Sequence, residues 1–493
     1  MEVILMNKKA LSLAVLLSMA TTGTFAAEMV PTTVNNSGQL TKLQEQAVKL
    51  TQKQLADKAA LDKKAYESTL ALNVLKTVDL ALANNRTAKQ SMWAYEAAQA
   101  NVSKTAASKN PLVAYGYSAT KTGGSDSSGE SGRNSFTVAV PVFSPSLDAS
   151  IDSARYSREG AGATYEEALQ TAKLNAVTGY YTLIMDRNLV DVAQQSVRDY
   201  DGHVTNVSAQ YNVGLVASSD VLAARTNLAT AQTRVVERAN AANIAEANLN
   251  NVIGYPVQTT LETVEKEMSY SAYDVSLEQA KAYALLHRST LIASAMNVQS
   301  AEETVKSAKA GYLPTISVNA GKNYTSTSNY RGTENNGWTV GASASWNLWD
   351  GGATQSSIKQ AKAKLEQVKE ANLATVDSVL LSVQQAYLNL RAAEQTIAST
   401  KTAVEEGQES FRIASLRYRA GVGTNLDVLD AETSLTTARN NYVQALYNYN
   451  VSVATLEQAV GIPLGTPTGE GAALINSSDA SNQLAALAAQ ANK

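Results

Sequence analysis

A unit of about 200 residues is written twice in this chain, and each copy holds a proline-free stretch of 68 residues ending at a glycine. The repeat is anchored at several independent points. Tyr181 and Tyr387 are 206 residues apart, YNVGLVASSDVL from Tyr211 matches YRAGVGTNLDVL from Tyr418 at 207, and NVIGYP ending at Pro256 matches QAVGIP ending at Pro463 at 207. Pro111 and Pro314 stand in similar contexts 203 apart. An internal repeat constrains the fold more than any local propensity does. The units read as 73–256 and 276–463, joined by 257–275, with a tail at 464–493.

Both units share one grammar: helix, strand, turn, strand, very long helix, glycine turn, helix. In the first, the pattern predicts a helix over 73–109, a hairpin within 112–144, a helix over 146–213 and another over 219–252. In the second, the matching spans are 276–311, 313–349, 353–420 and 426–460. A 68-residue helix is about 100 Å long at ~1.5 Å per residue. Apolar residues recur along both at seven-residue steps: Leu169, Ala176, Leu183, Val190, Val197 and Val204 in one, Val376, Val383, Leu390, Ile397, Val404 and Phe411 in the other. A sustained seven-residue period means coiled-coil-like packing. Ala386, Ala393, Thr400, Gly407 and Ala414 keep a second face small, as a curved helical wall requires. The shorter helices of each unit, stacked end to end, match one long helix, so each unit supplies two columns.

The strands alternate. Phe136, Val138, Val140 and Val142 share one face, and Trp338, Val340, Ala342, Ala344, Trp346 and Leu348 share another, with small or polar residues between them. Such alternation over about ten residues marks a transmembrane barrel, although a half-buried sheet of a soluble sandwich gives a similar pattern. Trp338 and Trp346 lie about 26 Å apart along a strand, near the spacing of two membrane-interface aromatic girdles. Four strands cannot close a barrel around a channel, and eight leave an interior filled by side chains. Twelve, from three chains, leave a lumen. The expected fold is therefore mainly α with membrane β: a homotrimeric α/β barrel, internally duplicated, with a 12-stranded β-barrel continuous with a 12-helix α-barrel.

Asn7-Lys8-Lys9, the apolar run Ala10–Met19 and Thr24-Phe25-Ala26 read as a signal peptide over 1–26. An N-terminal extension follows at 27–72, with a polar helix expected over 39–70. Among the 493 residues there is no cysteine and there are two histidines, His203 and His287, far apart. Thiolate chemistry, disulfides and a histidine-rich metal site are excluded, and no catalytic triad or phosphate loop is present. No cofactor or metal is expected, and the chain does not read as an enzyme. The net charge of -3 argues against nucleic acid as a partner.

With the tip segments Tyr211–Arg225 and Tyr418–Leu435, the duplication and the proline placement in view, the chain resembles the TolC family of outer-membrane efflux proteins over about 73–463. The resemblance implies a trimeric exit duct that crosses the outer membrane and periplasm, serving a tripartite efflux or type I secretion system. It would dock a periplasmic adaptor (membrane fusion) protein and an inner-membrane transporter, with outer-membrane lipid around the barrel. It places a periplasmic constriction ring at Asp427 and Asp430, whose other reading is a carboxylate at a helix start. It places a gate lock at Tyr418, with Arg417 and Arg419 beside it and Asp220 as its acceptor. Asp220 reads equally as a helix N-terminal residue. The arginine that relatives use in this lock falls on Gly423, so the chain departs from the family there. The adaptor-facing turns would be Val213, Gly214, Leu215 and Ala420, Gly421, Val422, and the interface aromatics Trp338 and Trp346. A structural or adhesive coiled-coil trimer that does not conduct is the competing class.

Overall fold

The structure, a computed structural model, describes residues 47–53, 70–123, 128–327, 333–480 and 482–483. The signal peptide and most of the N-terminal extension fall outside them, and only 47–53 of the expected polar helix is described, as helix. Of the described residues, 47–53 and 70 with 255–262 fall in one unit and those of 71–254 and 263–483 in a second. The second carries the repeats.

The first repeat comprises α1 (Val74–Asn84), α2 (Arg86–Ala107), β1 (Leu112–Gly123), β2 (Ser128–Phe143), α3 (Pro145–Asn212) and α4 (Ser218–Val252). The second comprises α5 (Leu277–His287), α6 (Ser289–Lys309), β3 (Thr315–Thr327), β4 (Thr333–Ser345), α7 (Ala353–Arg419) and α8 (Asn425–Val460), followed by short α9 (Gly471–Ser477). Pro145 occupies the first turn of α3, where its fixed φ suits the helix and its missing N–H is no loss. Before α7, the Asp350 carboxylate accepts from Gly352 N (3.0 Å) and Thr354 N (2.7 Å).

The expected helices at 73–109 and 276–311 are each split, at Asn85 and Arg288, which are 203 residues apart. Asn85 leaves helical geometry at ψ 126° and its side chain accepts from Ala88 N, capping α2. Arg288 leaves it at ψ 116° and sends its guanidinium to the Gln458 carbonyl and, at 2.8 Å, to Glu167. Neither break involves proline or glycine, so periodicity alone reads through both.

The four main strands pair antiparallel in the order β1-β2-β3-β4, so the two hairpins join edge to edge through β2 and β3. β1 and β2 fall within the hairpin span 112–144 that the pattern predicts. β4 ends at Ser345, so Trp346 and Leu348 lie beyond it instead of continuing it, and Trp346 Nε1 donates to Tyr312 O at 3.0 Å. The register sets residues in rows across the sheet. Tyr115, Phe136, Lys322 and Trp338 form one row; Val113, Val138, Ala320 and Val340 the next; Val140, Val318 and Ala342 another. The opposite face carries Ser135, Thr137, Asn319, Gly321, Thr339, Gly341 and Ser343. One face is apolar and the other small and polar.

The helices pack as four columns. α3 lies against α2, α4, α6 and α8, while α7 lies against α6 and α8. The columns therefore run α2 with α4, then α3, then α6 with α8, then α7. Burial follows the order: twenty of the 68 residues of α3 are buried against eight of the 67 of α7, because α3 has neighbours on both sides. In α7 the seam Val383, Leu390, Ile397 is buried together with Ala386 and Ala393, as the seven-residue period requires.

A polar tie holds the middle of the columns. Glu167 on α3 accepts from Arg288 and Gln458, Gln170 Nε2 donates to Ile462 O (2.6 Å), and Lys173 Nζ donates to Thr466 O (2.6 Å). Glu457 Oε1 accepts from Gly469 N (2.9 Å) and Gly471 N (3.0 Å), anchoring the chain after α8. Burial pushes Glu457 up to about 7 despite these bonds.

Candidate functional site at the helical tips

Both long helices end in the same way. α3 stops at Val213, Gly214 takes φ +80°, and Leu215 N donates back to Gln210 O (2.9 Å). α7 stops at Ala420, Gly421 takes φ +73°, and Val422 N donates to Arg417 O (3.0 Å). These six-residue closures are the usual solution to orphan carbonyls at a helix C-terminus, and they need a left-handed residue that glycine supplies. The turns are exposed: Val213 by 70%, Leu215 by 75% and Val422 by 67%.

Gly423 also tightens its turn. Its N–H donates to Arg417 O at 3.1 Å, and a Cβ there would stand 3.1 Å from Arg417 C and Cβ. Gly423, where the resemblance would place a lock arginine, is thus folded tightly onto the end of α7.

α8 begins with a capping box. Asp427 N donates to Thr424 Oγ1 (3.1 Å), and Thr424 N donates to Asp427 Oδ2 (2.9 Å). The carboxylate satisfies an otherwise orphaned donor, and these bonds hold its pKa below the ordinary carboxylate range. The helix-start reading of Asp427 therefore describes its contacts within one chain. Asp430 is exposed one turn on and caps nothing. Both line an open groove of about 900 Å³ between α7 and α8, with Glu405, Glu406, Glu409 and Arg417. Asp220 lies in the first turn of α4 and makes no side-chain cap; its carbonyl accepts from Asn425 Nδ2 at 3.3 Å.

Tyr418 is 3% exposed and packs with Val207, Val221, Ala224 and Val428, within its own chain. Its hydroxyl has no hydrogen-bond partner among the described residues. Burial, then the charge of Asp220, raises its pKa. Arg417 and Arg419 are exposed.

Sequence reasoning passed over His203. The structure places it 5% exposed on α3, its ring edge-on to Tyr418 at 5.1 Å between centroids. His203 Nε2 lies 2.6 Å from Asn425 Oδ1, so the neutral ring donates from Nε2 while Asn425 Nδ2 serves Asp220 O. Burial lowers its pKa, with the Asn425 bond opposing. Gln210 Nε2 to Tyr418 O (3.3 Å), Tyr200 Oη to Thr433 Oγ1 (3.1 Å) and an ion pair of Arg439 with Asp199 (3.4 Å) add to the ties between α3 and the α7–α8 hairpin. A single histidine on the buried side of a heptad helix was the available signal.

Among the described residues no group of three or more His, Asp or Glu is placed to hold a metal, and no helix is long and apolar enough to cross a membrane.

A duplicated set of helical columns continuous with a four-stranded sheet, apolar on one face, defines the class of fold. The sequence profile described as "Outer membrane efflux protein" matches residues 77–255 and 282–462, and the chain belongs to that family. It is an outer-membrane protein. It is 27% identical to the outer membrane protein TolC of Escherichia coli over 314 residues, 60% of this chain and 63% of that one. The match thus spans less than two thirds of that relative's length. It is 23% identical over 429 residues to the alkaline protease secretion protein AprF of Pseudomonas aeruginosa, covering 80% of this chain and 86% of that one. The crystal structure of the outer membrane protein VceC from Vibrio cholerae superposes with a TM-score of 0.70 at 18% identity, covering 79% of this chain and 96% of that one.

Proposed function

We propose that three copies of this chain close into a passive exit duct serving efflux or type I secretion. The observation that carries the reading is the pair of open edges. In one chain the sheet ends at unpaired β1 and β4, and the helical wall ends at α2 with α4 on one side and α7 on the other. An exposed sheet edge presents unpaired backbone groups, and a closed barrel removes edges altogether. Pairing β4 of one copy with β1 of the next gives twelve strands and twelve helical columns around one lumen. The apolar face then meets outer-membrane lipid and the polar face lines the channel.

The duct is a conduit and not a catalyst. In it, Asp427 and Asp430 form a periplasmic constriction ring of six carboxylates. Tyr418, Arg417, Arg419 and Asp220 hold the narrow end. Val213-Gly214-Leu215 and Ala420-Gly421-Val422 face a periplasmic adaptor, which links to an inner-membrane transporter. Secretion roles in the names of relatives support the second use of such a duct, and efflux in the family's name the first.

The test is mass in detergent followed by conductance in a planar bilayer. A stable homotrimer that conducts is expected. A monomer or dimer refutes closure, and a trimer that does not conduct in any state favours a structural envelope protein.

A further inference from the structure

The sheet's apolar face has one basic residue in its apolar rows. Lys322 stands in register with Tyr115, Phe136 and Trp338, so a lysine occupies the aromatic row that spans all four strands. Below that row, toward the helices, the face is Val113, Val138, Ala320, Val340, Val140, Val318, Ala342, Ile316 and Ala344. Above it come Tyr117, Asn134, Tyr324 and Asn336 in one further row, with Tyr115 Oη donating to Asn134 Oδ1 at 2.7 Å. The helices leave the sheet at its other end, so this row bounds the apolar rows on the side away from them, about midway along β2, β3 and β4, and the strands continue beyond it as polar rows. Lys322 makes no ion pair with a described residue, unlike Lys121, which is held by Glu130 at 2.6 Å farther out on β1.

We propose that Lys322, with the phenol and carboxamide row above it, docks the phosphate of a phosphorylated glycolipid in the outer leaflet. The proposal rests on the membrane reading of this sheet. A cation at the top of the apolar rows sits where headgroup phosphate lies, and its aliphatic stem covers apolar surface on the way. Tyr117, Asn134, Tyr324 and Asn336 supply the donors and acceptors that sugar hydroxyls require. An acidic phospholipid offers the phosphate without the sugar, which is why the occupant is a glycolipid.

The full-length protein, purified in detergent, is titrated with bisphosphorylated lipid A, the same lipid after phosphatase treatment, and phosphatidylglycerol, with bound lipid counted by native mass spectrometry. The wild type should bind bisphosphorylated lipid A most tightly. Lys322→Gln should weaken that binding about fivefold per site, ~1 kcal/mol for one lysine near an anionic surface, and leave the dephosphorylated lipid unchanged. Lys322→Arg should restore it, and Lys121→Gln should have no effect. Equal binding by wild type and Lys322→Gln overturns the proposal, as does phosphatidylglycerol binding as tightly as lipid A. Bilayer insertion of Ala342→Arg is measured beside it. Loss of insertion there with no Lys322 effect refutes the lipid site alone, whereas normal insertion refutes the membrane reading beneath it.

Discussion

Ala342→Arg tests the orientation of the sheet most directly. Ala342 lies four residues from both Trp338 and Trp346, in the row of Val140 and Val318 on the apolar face. Four residues are about 13 Å of strand at ~3.3 Å each, and about 10 Å of depth at a tilt near 40°. The two tryptophans then bracket ~20 Å of depth, close to the ~25 Å apolar band of an outer-membrane barrel, and Ala342 sits at its midplane. An arginine there costs about 2–4 kcal/mol per chain, or roughly 6–12 kcal/mol for three. Gly341 is the internal control: it faces the other side, pairs with Asn319, and a Cβ added to it meets nothing within 4 Å. Gly341→Arg should therefore fold and insert nearly as the wild type does. The assay is denaturant-titrated folding into lipid vesicles, read by intrinsic tryptophan fluorescence and protease protection. Equal penalties for the two substitutions refute the assignment of faces, since a one-residue slip exchanges every side chain between them. No penalty for either removes the sheet from the membrane.

Four further outcomes follow from the tips and the middle of the columns. Asp430→Ala should lower cation selectivity in single-channel recordings without loss of stability, whereas Asp427→Ala should also cost about 1 kcal/mol through the lost cap; unchanged selectivity in the double variant would confine both acids to the helix start. Tyr418→Phe removes a buried hydroxyl that has no partner among the described residues, so stability should hold; with Arg419→Ser, a rise in basal conductance then reports a bond to a neighbouring chain, and Arg198→Ser is the control because Tyr200 is itself buried. His203 has a lowered pKa in the fold, so its contribution is fully present above ~6.5 and fades as pH falls toward the lower folded value; His203→Gln should flatten thermal stability against pH over that acidic range. Glu457 has a raised value of about 7, so its contribution is full below ~4.5 and is lost as pH rises to about 7; Glu457→Gln should raise the melting temperature at pH 8 and leave it unchanged at pH 4.

Much of this architecture was legible because the repeat and the seven-residue period are long-range signals that survive local noise. Val383, Leu390 and Ile397 are buried as the period demands. The breaks at Asn85 and Arg288 were not legible, because each is made by a contact elsewhere in the fold. Arg288 leaves the helix to reach Glu167 and the end of α8, a partner 170 residues away in sequence. Trp346 fits the alternation of β4 yet lies past the strand's end, where its indole serves Tyr312 O. Alternation has no stop signal of its own. At the tips, Gly214 and Gly421 announced the turns, while the pairing of His203 with Asn425 depends on how α3 meets α8 and is visible only in three dimensions.

The ties between α3 and the second hairpin differ in kind along their length, and that difference bears on how such a tube can open. Around Glu167, Gln170, Lys173 and Arg288 they are charged or aimed at backbone carbonyls, and Arg288 is 9% exposed. Removing one partner there strands a buried charge, which costs several kcal/mol. Nearer the tips one ion pair remains, Arg439 to Asp199 at 3.4 Å with Tyr200 to Thr433 beside it, and beyond it the ties are neutral: His203 to Asn425 and Gln210 to Tyr418 O, over a core of valine and alanine around one tyrosine. Each such bond contributes about 0.5–1.5 kcal/mol, and its groups regain water when the hairpins part. Separation is therefore cheapest at the tips and most costly at the middle. In the duct proposed above, the α7–α8 hairpin would part from α3 most easily beyond the Asp199–Arg439 pair, and the cost of parting would lie in the few residues around Tyr418.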